Sequence, residues 1–442
     1  MKRYAKSWIL LVFLVVLLSG ATMAEYDLGG QTVTIGAFNN LGPYYLEGDG
    51  ADWTAYVEEK FNVKFAFKQI SHGEMVDTIM TGATAGESVA DVFQVQSAAF
   101  FQLASVGALK RLDDVLDQQY YDSLPFYQQR CIKDYTSYAG KTYGFSIGDG
   151  ISALYGLVWN KSLFEREGLP NLYELQAAGE WTWEKFREIA RKASRDTDGD
   201  GKIDQWGFSS QYRAVEPHLV VNWGYSNNAL VYQKENERMA FTYNRKPALE
   251  TLQYWNELIN VDKSVYNGED GVNGLDNFIA GNIGMLLANV NFSSWHCNYA
   301  QMADDYGYVM IPKGPNDGKH IASPEFTTMF VLPVTVETPA EIIEVVSALF
   351  KATGKYLDNE ERVNQKLEEF GNQVRDFESV ESRRLMYENI YYDPSGGAPF
   401  LGKTDFLGKI REVLYGHESP ASAMDSVAPQ VQAEVDKYYN EK

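Results

Sequence analysis

The sequence predicts an α/β fold with mainly parallel sheets and helices on both faces. Three observations predict it. Short strand-like runs alternate with amphipathic helical segments from Thr32 onward, the pattern of strand–helix–strand units. The 442 residues suffice for two or three domains with sizeable cores. No internal repeat and no low-complexity stretch interrupts the alternation.

The elements follow in order. Thr32–Phe38 reads as a strand, and Asn39–Gly50 as a loop rich in Gly, Asn and Pro. Trp53–Phe61 is helical, Val63–Ile70 a strand, Met75–Thr84 a helix and Ala90–Val95 a strand. Gly144–Gly150 is a Gly-rich passage; Ala153–Asn160 is a strand and Trp183–Ser194 a helix. Asp196–Asp204 is a charged loop, Pro247–Asn260 a long helix and Phe326–Pro333 a strand. The remainder is mostly helical: Pro339–Thr353, Leu357–Phe370, Glu378–Tyr387 and Ala421–Tyr439. Ligands of open α/β sheets bind beyond the carboxyl ends of strands. That rule selects Asn39, Asn40 and Tyr44 after the first strand, and Gln96 and Ser97 after the third.

The first 24 residues read as a secretory signal peptide. Lys2, Arg3 and Lys6 precede an unbroken apolar run of 11 residues, Trp8–Leu18, and small residues lead to Ala24. The run is shorter than the roughly 20 residues that span a bilayer. Leu18-Ser19-Gly20 resembles a lipoprotein signal, but Ala21 stands where the lipid-bearing Cys would be. The expectation is a free periplasmic protein.

The net charge of −21 argues against nucleic acid as a partner, because an acidic surface repels phosphate backbones. Two cysteines, Cys131 and Cys297, are too few for a disulfide scaffold, and neither has a metal-ligand neighbour at useful spacing.

Several segments, in order, resemble extracellular solute-binding proteins of ABC importers, the branch that includes maltose-binding protein. Leu157–Phe164 carries Trp159-Asn160-Lys161, like that family's aromatic-Asn-Lys element. Trp181–Phe186 resembles its Thr-Trp-Glu-Glu-Phe helix start, and Phe278–Met285 its Phe-x-x-Gly-x-x-Ala-Met segment, which leads to a Trp, here Trp295. Ser419–Tyr439 resembles its closing helix. The chain departs in length, and residues 364–392 match little.

The resemblance implies a two-lobed periplasmic binding protein-like fold of type II, hinged by crossing strands near Ser146–Ile151 and Ile321–Phe326. The lobes implied are 25–148 with 324–370, and 149–323 with 371–442. It also implies a sugar or oligosaccharide ligand, an ABC permease partner and a monomeric protein.

Sugars present apolar C–H faces and hydroxylated edges, so their pockets combine aromatic rings with placed polar groups. Aromatic residues make up 14% of the chain, with 9 Trp and 29 Tyr, which suits such a pocket but equally suits a core. Trp295 stands where the family places a stacking Trp. Glu216-Pro217-His218 resembles a ligand-contacting Glu-Pro-Tyr segment, with His replacing Tyr, and Trp223 follows closely. Asp149 lies in the first crossing, and Tyr391, Tyr392 and Phe400 surround Pro394–Gly397, so that one of the three is expected to cap the cleft.

Asp196–Asp204 has calcium-loop spacing. Counting Asp196 as position 1, Asp198, Asp200 and Asp204 fall at positions 3, 5 and 9, and Gly201 at 6 allows the turn. Lys202 at 7 would offer its carbonyl; Gly207 occupies position 12, where a bidentate acid is usual. Carboxylates this close repel one another, which favours a bound cation, expected to be structural Ca2+.

No nucleophile elbow, zincin motif or phosphate loop is present, so a binding protein without an organic cofactor is expected rather than an enzyme. Two alternatives stay open: a secreted glycosidase or lyase with structural calcium, and a sugar sensor for a membrane receptor.

Overall fold

The computed structural model describes residues 26–122, 135–146, 154–212, 214–268, 271–289, 301–316, 318–323, 328–351, 374–391 and 403–440. The signal peptide, both cysteines and the expected helix Leu357–Phe370 lie outside them. The strands in chain order are β1 (Thr32–Ala37), β2 (Lys64–Gln69), β3 (Val92–Gln96), β4 (Ser137–Tyr138), β5 (Lys141–Thr142), β6 (Gly144–Phe145) and β7 (Tyr155–Asn160). They continue with β8 (Trp206–Ser210), β9 (Tyr232–Glu235), β10 (Arg238–Phe241), β11 (Ile283–Asn289), β12 (Tyr306–Val309) and β13 (Thr328–Val331).

Two sheets organise the chain. The first has the order β2-β1-β3-β13-β6, the second β12-β7-β11-β8. The expected parallel core exists in the first, where β1 runs parallel to β2 and to β3. Both sheets are mixed rather than mainly parallel: β13 is antiparallel to β3 and β6, and β7 is antiparallel to β11 and β12. The reason is connectivity. β13 and β7 each follow a passage from the other sheet, so neither needs the crossover helix that a parallel neighbour requires.

Alternation packs the first lobe. Val33, Ile35 and Ala37 of β1 are buried, and Val33 and Ile35 join Val57, Phe61, Val346 and Leu349 from the helices Ala51–Phe61 and Pro339–Lys351. Each such side chain contributes about 1.5–3 kcal/mol when fully buried. Gly36 is required by a close approach: a Cβ there would meet the Phe93 ring at 2.6 Å.

In the second lobe every residue of β7 is buried. Asn160 ends β7 and caps the next helix by accepting from the Leu163 amide (2.8 Å), while its Nδ2 donates to Asp304 (2.8 Å). Lys161 then pairs with Asp305 and Asp376, each at 2.8 Å. Tyr173 Oη bonds Asp376 and Ser379. The Trp-Asn-Lys element is thus a structural joint. It fastens the helix Phe377–Glu388, from the stretch that resembles little else, to the β12 edge.

Candidate functional site

Register gives each sheet one edge at which most of its strands end. β1, β2 and β3 are parallel, so their carboxyl ends, Ala37, Gln69 and Gln96, share one edge. Thr328, the first residue of β13, pairs with Gln96 at that edge, and β6 runs toward it to end at Phe145. In the second sheet Tyr155, the first residue of β7, pairs with Asn289, the last of β11. β8 parallels β11, and Val309 of β12 pairs with Leu157, so β8, β11 and β12 also end toward Tyr155. Both chain passages, between Ser146 and Leu154 and between Ser323 and Thr328, therefore join carboxyl edge to carboxyl edge. Ligand sites lie at such edges.

On the first lobe Phe38, just past β1, stacks on His72 at 4.4 Å and 25°, opening the helix His72–Ala85. Asn39 and Asn40 beside it are exposed. Tyr44 is exposed and meets Tyr45 edge-on at 4.9 Å, while Tyr45 is buried against Phe67. Gln96 is half-buried opposite Thr328, and Ser97 is buried at the first turn of the helix Ser97–Ser105.

On the second lobe the helix Pro217–Gly224 begins at the Glu-Pro step, where proline lacks only an N–H that a first turn leaves unpaired. His218 and Asn222, four residues apart, share one face. His218 Nε2 lies 3.5 Å from Tyr155 Oη, and its ring lies 5.7 Å from Tyr212. Asn222 Oδ1 accepts from Ser323 Oγ at 2.8 Å. Tyr225 and Tyr391 rings meet at 5.1 Å.

The family model of bacterial extracellular solute-binding proteins matches residues 45–355. The chain belongs to that family. Among solved structures, this solute-binding protein is similar to UspC of M. tuberculosis, with TM-score 0.65, 16% identity, and coverage of 91% of this chain and 100% of that one. It is also similar to the cyclic alpha-maltosyl-1,6-maltose binding protein of Arthrobacter globiformis (TM-score 0.64, 15% identity, coverage 91% and 98%). An ABC substrate-binding protein of Listeria monocytogenes in complex with cycloalternan gives TM-score 0.61, 15% identity and coverage of 92% and 98%. These similarities establish the two-lobed fold.

The solute-binding protein gathers some of the sequence-selected residues and disperses others. Gln96 ends β3 and Ser97 follows it, Asn39 lies just past β1 on the same carboxyl edge, and Tyr44 is in the loop after β1; His218 is on the helix Pro217–Gly224. Glu216 is engaged by Arg411 at 3.3 Å. Trp223 is placed in the core instead: it is 0% exposed, and its ring meets Phe186 at 5.0 Å and Trp255 at 5.4 Å. One residue beyond Asn222, it lies about 100° round the helix from that side chain. Asp149, Trp295, Tyr392 and Phe400 lie outside the described residues; Trp295 follows β11 in sequence.

Phe38, His72, Tyr155, Asn222 and Ser323 were not selected from the sequence. Tyr155 and Ser323 were findable, since each is adjacent to a chain passage. Asn222 needed the helical spacing from His218, and His72 no local signal marks.

The Asp-rich loop is exposed. Carboxylate oxygens of Asp196, Asp198 and Asp204 come within 4.8 Å of one another. Asp200 is outside that group, accepting instead from the Lys202 amide at 2.8 Å. Amides of Gly201 and Gly199 hold Asp196 below the usual carboxylate range, and the amide and hydroxyl of Thr197 do the same for Asp204. Position 12 has no room for an acid: a Cβ on Gly207 would lie 1.9 Å from the Ala190 carbonyl oxygen. No helix among the described residues is long and apolar enough to cross a membrane.

Proposed function

We propose that this solute-binding protein captures a sugar or oligosaccharide between its lobes and delivers it to the membrane subunits of an ABC importer. In this reading residues 1–24 are removed on export and the mature chain works in the periplasm as a monomer. Lobe one comprises 25–148 and 324–370; lobe two comprises 149–323 and 371–442. Asn39, Tyr44, Gln96, Ser97, Asp149, Glu216, His218 and Trp295 contact the ligand, and Phe38 and Tyr155 join them. Trp223, packed in the core, supports that helix from beneath and does not touch the ligand. The loop at Asp196, Asp198, Asp200, Lys202 and Asp204 holds a structural Ca2+.

The observation that carries this reading is the chemistry along the two carboxyl edges of a chain in this family. The first lobe offers the Phe38 ring and the amides of Asn39 and Gln96; the second offers phenol, imidazole, amide and hydroxyl groups. These groups suit the apolar faces and hydroxylated edges of a sugar. Two of the similar structures are named for, or complexed with, cyclic glucans: cycloalternan and cyclic alpha-maltosyl-1,6-maltose. Contacts from both lobes favour the closed arrangement, and that differential affinity drives closure.

The test is thermal unfolding of the mature protein against mono- and oligosaccharides, maltotriose included, with the sugar analysed afterwards. A bound ligand at a hundredfold excess over Kd adds about 2.7 kcal/mol. A shifted midpoint with sugar recovered intact supports the reading. Consumed sugar replaces it with a glycosidase or lyase, and no response to any sugar points to another solute.

A further inference from the structure

Two side-chain contacts tie one face of the helix Pro217–Gly224 to the second-lobe ends of both chain passages, and a backbone bond joins those ends to each other. Tyr155, at the end of the first, places its hydroxyl 3.5 Å from His218 Nε2. Ser323, at the start of the second, donates its hydroxyl to Asn222 Oδ1 at 2.8 Å. The Tyr155 amide donates to the Ser323 carbonyl at 2.9 Å, closing the ring. Ala322 is held from behind by the Asn389 carbonyl (3.1 Å) and the Tyr391 amide (2.8 Å), so this end of the passage has little freedom. The helix is itself anchored by Leu219, Val220 and Trp223 in the core.

We infer that Asn222 is a positioning residue that couples ligand contact at His218 to the hinge. One turn of core-anchored helix fixes the two side chains relative to each other, so a ligand held by His218 is held in register with Asn222. Through Ser323 and the Tyr155 amide, Asn222 then holds the second-lobe ends of both passages together. Lobe closure needs those ends to stay together. The inference rests on the sugar-capture reading for what touches His218, but the joint itself exists without ligand.

Asn222→Ala and Ser323→Ala test it singly and combined, in the mature protein. Without ligand, hydrogen exchange at the Tyr155 amide should quicken about two- to tenfold in each variant, as for loss of a neutral hydrogen bond. With maltotriose, each should weaken binding by a similar factor and reduce ligand-induced compaction in small-angle scattering. The double variant should be no worse than either single one. Unchanged Tyr155 exchange in both variants overturns the joint. A Kd altered by Asn222→Ala but not by Ser323→Ala also overturns it, making Asn222 a direct ligand contact. If the wild type ignores maltotriose, it is that choice of sugar which fails, and the exchange measurement still decides the joint. Ser323→Ala, a smaller change, serves should Asn222→Ala not fold.

Discussion

The hydroxyl of Tyr439 lies 2.7 Å from that of Tyr232, and the same Tyr439 ring reaches 6.4 Å from both Phe101 and Tyr138. Tyr232 belongs to the β9–β10 hairpin, Phe101 to the helix Ser97–Ser105 that follows β3, and Tyr138 to β4. Asn440 clips the chain end to that hairpin through the Met239 carbonyl and amide, at 2.9 and 2.8 Å. Residues 439 and 440 thus join that hairpin to side chains beside the first sheet, separately from the chain passages. Tyr439→Ala should cost about 1–3 kcal/mol in urea unfolding, and Tyr439→Phe about 0.5–1.5 kcal/mol. An unchanged midpoint in Tyr439→Ala would show that the contact contributes nothing.

The Lys161–Asp376 pair predicts an acid-sensitive edge. Burial by itself would raise the Asp376 carboxyl, but bonds from Lys161 and Ser379 outweigh it and hold the pKa below its ordinary value. Burial likewise opposes the Lys161 charge, and Asp305 and Asp376 together overcome it. A carboxyl depressed in the folded state stabilises above its unfolded pKa of about 4, and that stability is lost as pH falls through the folded value. Asp376→Asn should lower stability at pH 7 by about 1–3 kcal/mol and flatten its fall between about pH 5 and 2. Equal pH slopes for variant and wild type would contradict this.

His218 and Trp223 share a helix and should behave oppositely. His218→Ala should weaken sugar binding about two- to tenfold by calorimetry, with little change in melting. Trp223→Ala should cost about 3–5 kcal/mol of stability, because it empties an aromatic core. A stability loss in His218→Ala matching that of Trp223→Ala would give His218 the same purely structural role.

The Asp-rich loop predicts a calcium response. Adding Ca2+ to chelator-treated protein should raise the melting midpoint, and Asp196→Asn should abolish the rise. Mg2+, which demands tighter octahedral geometry, should do less. Identical melting with chelator and with Ca2+ would leave the loop a solvated turn.

Much of the fold was legible in the sequence because periodicity and turn residues are local. β1, the helix Trp183–Ala193 and β7 fall within two residues of their expected bounds. Trp206–Ser210 and Tyr306–Val309 escaped notice: both are short, and their strand character comes from partners far along the chain. Direction was the other loss. The antiparallel neighbours β13 and β7 follow from where the chain re-enters each lobe, which a local reading does not contain. Strand ends placed Gln96 and Asn39 at the carboxyl edge of the first sheet, where they lie, whereas Trp223 misled. An aromatic beside a motif reads alike from either side of a helix, and only the phase against Leu219 and Asn222 turns it inward.

Small-angle scattering of the mature protein, in buffer containing Ca2+, with and without maltotriose tests the central claim most directly. Sugar capture by lobe closure predicts a smaller radius of gyration at saturation, with the sugar recovered intact. An unchanged radius at a concentration where calorimetry shows binding would contradict closure. Disappearance of the sugar would contradict capture itself.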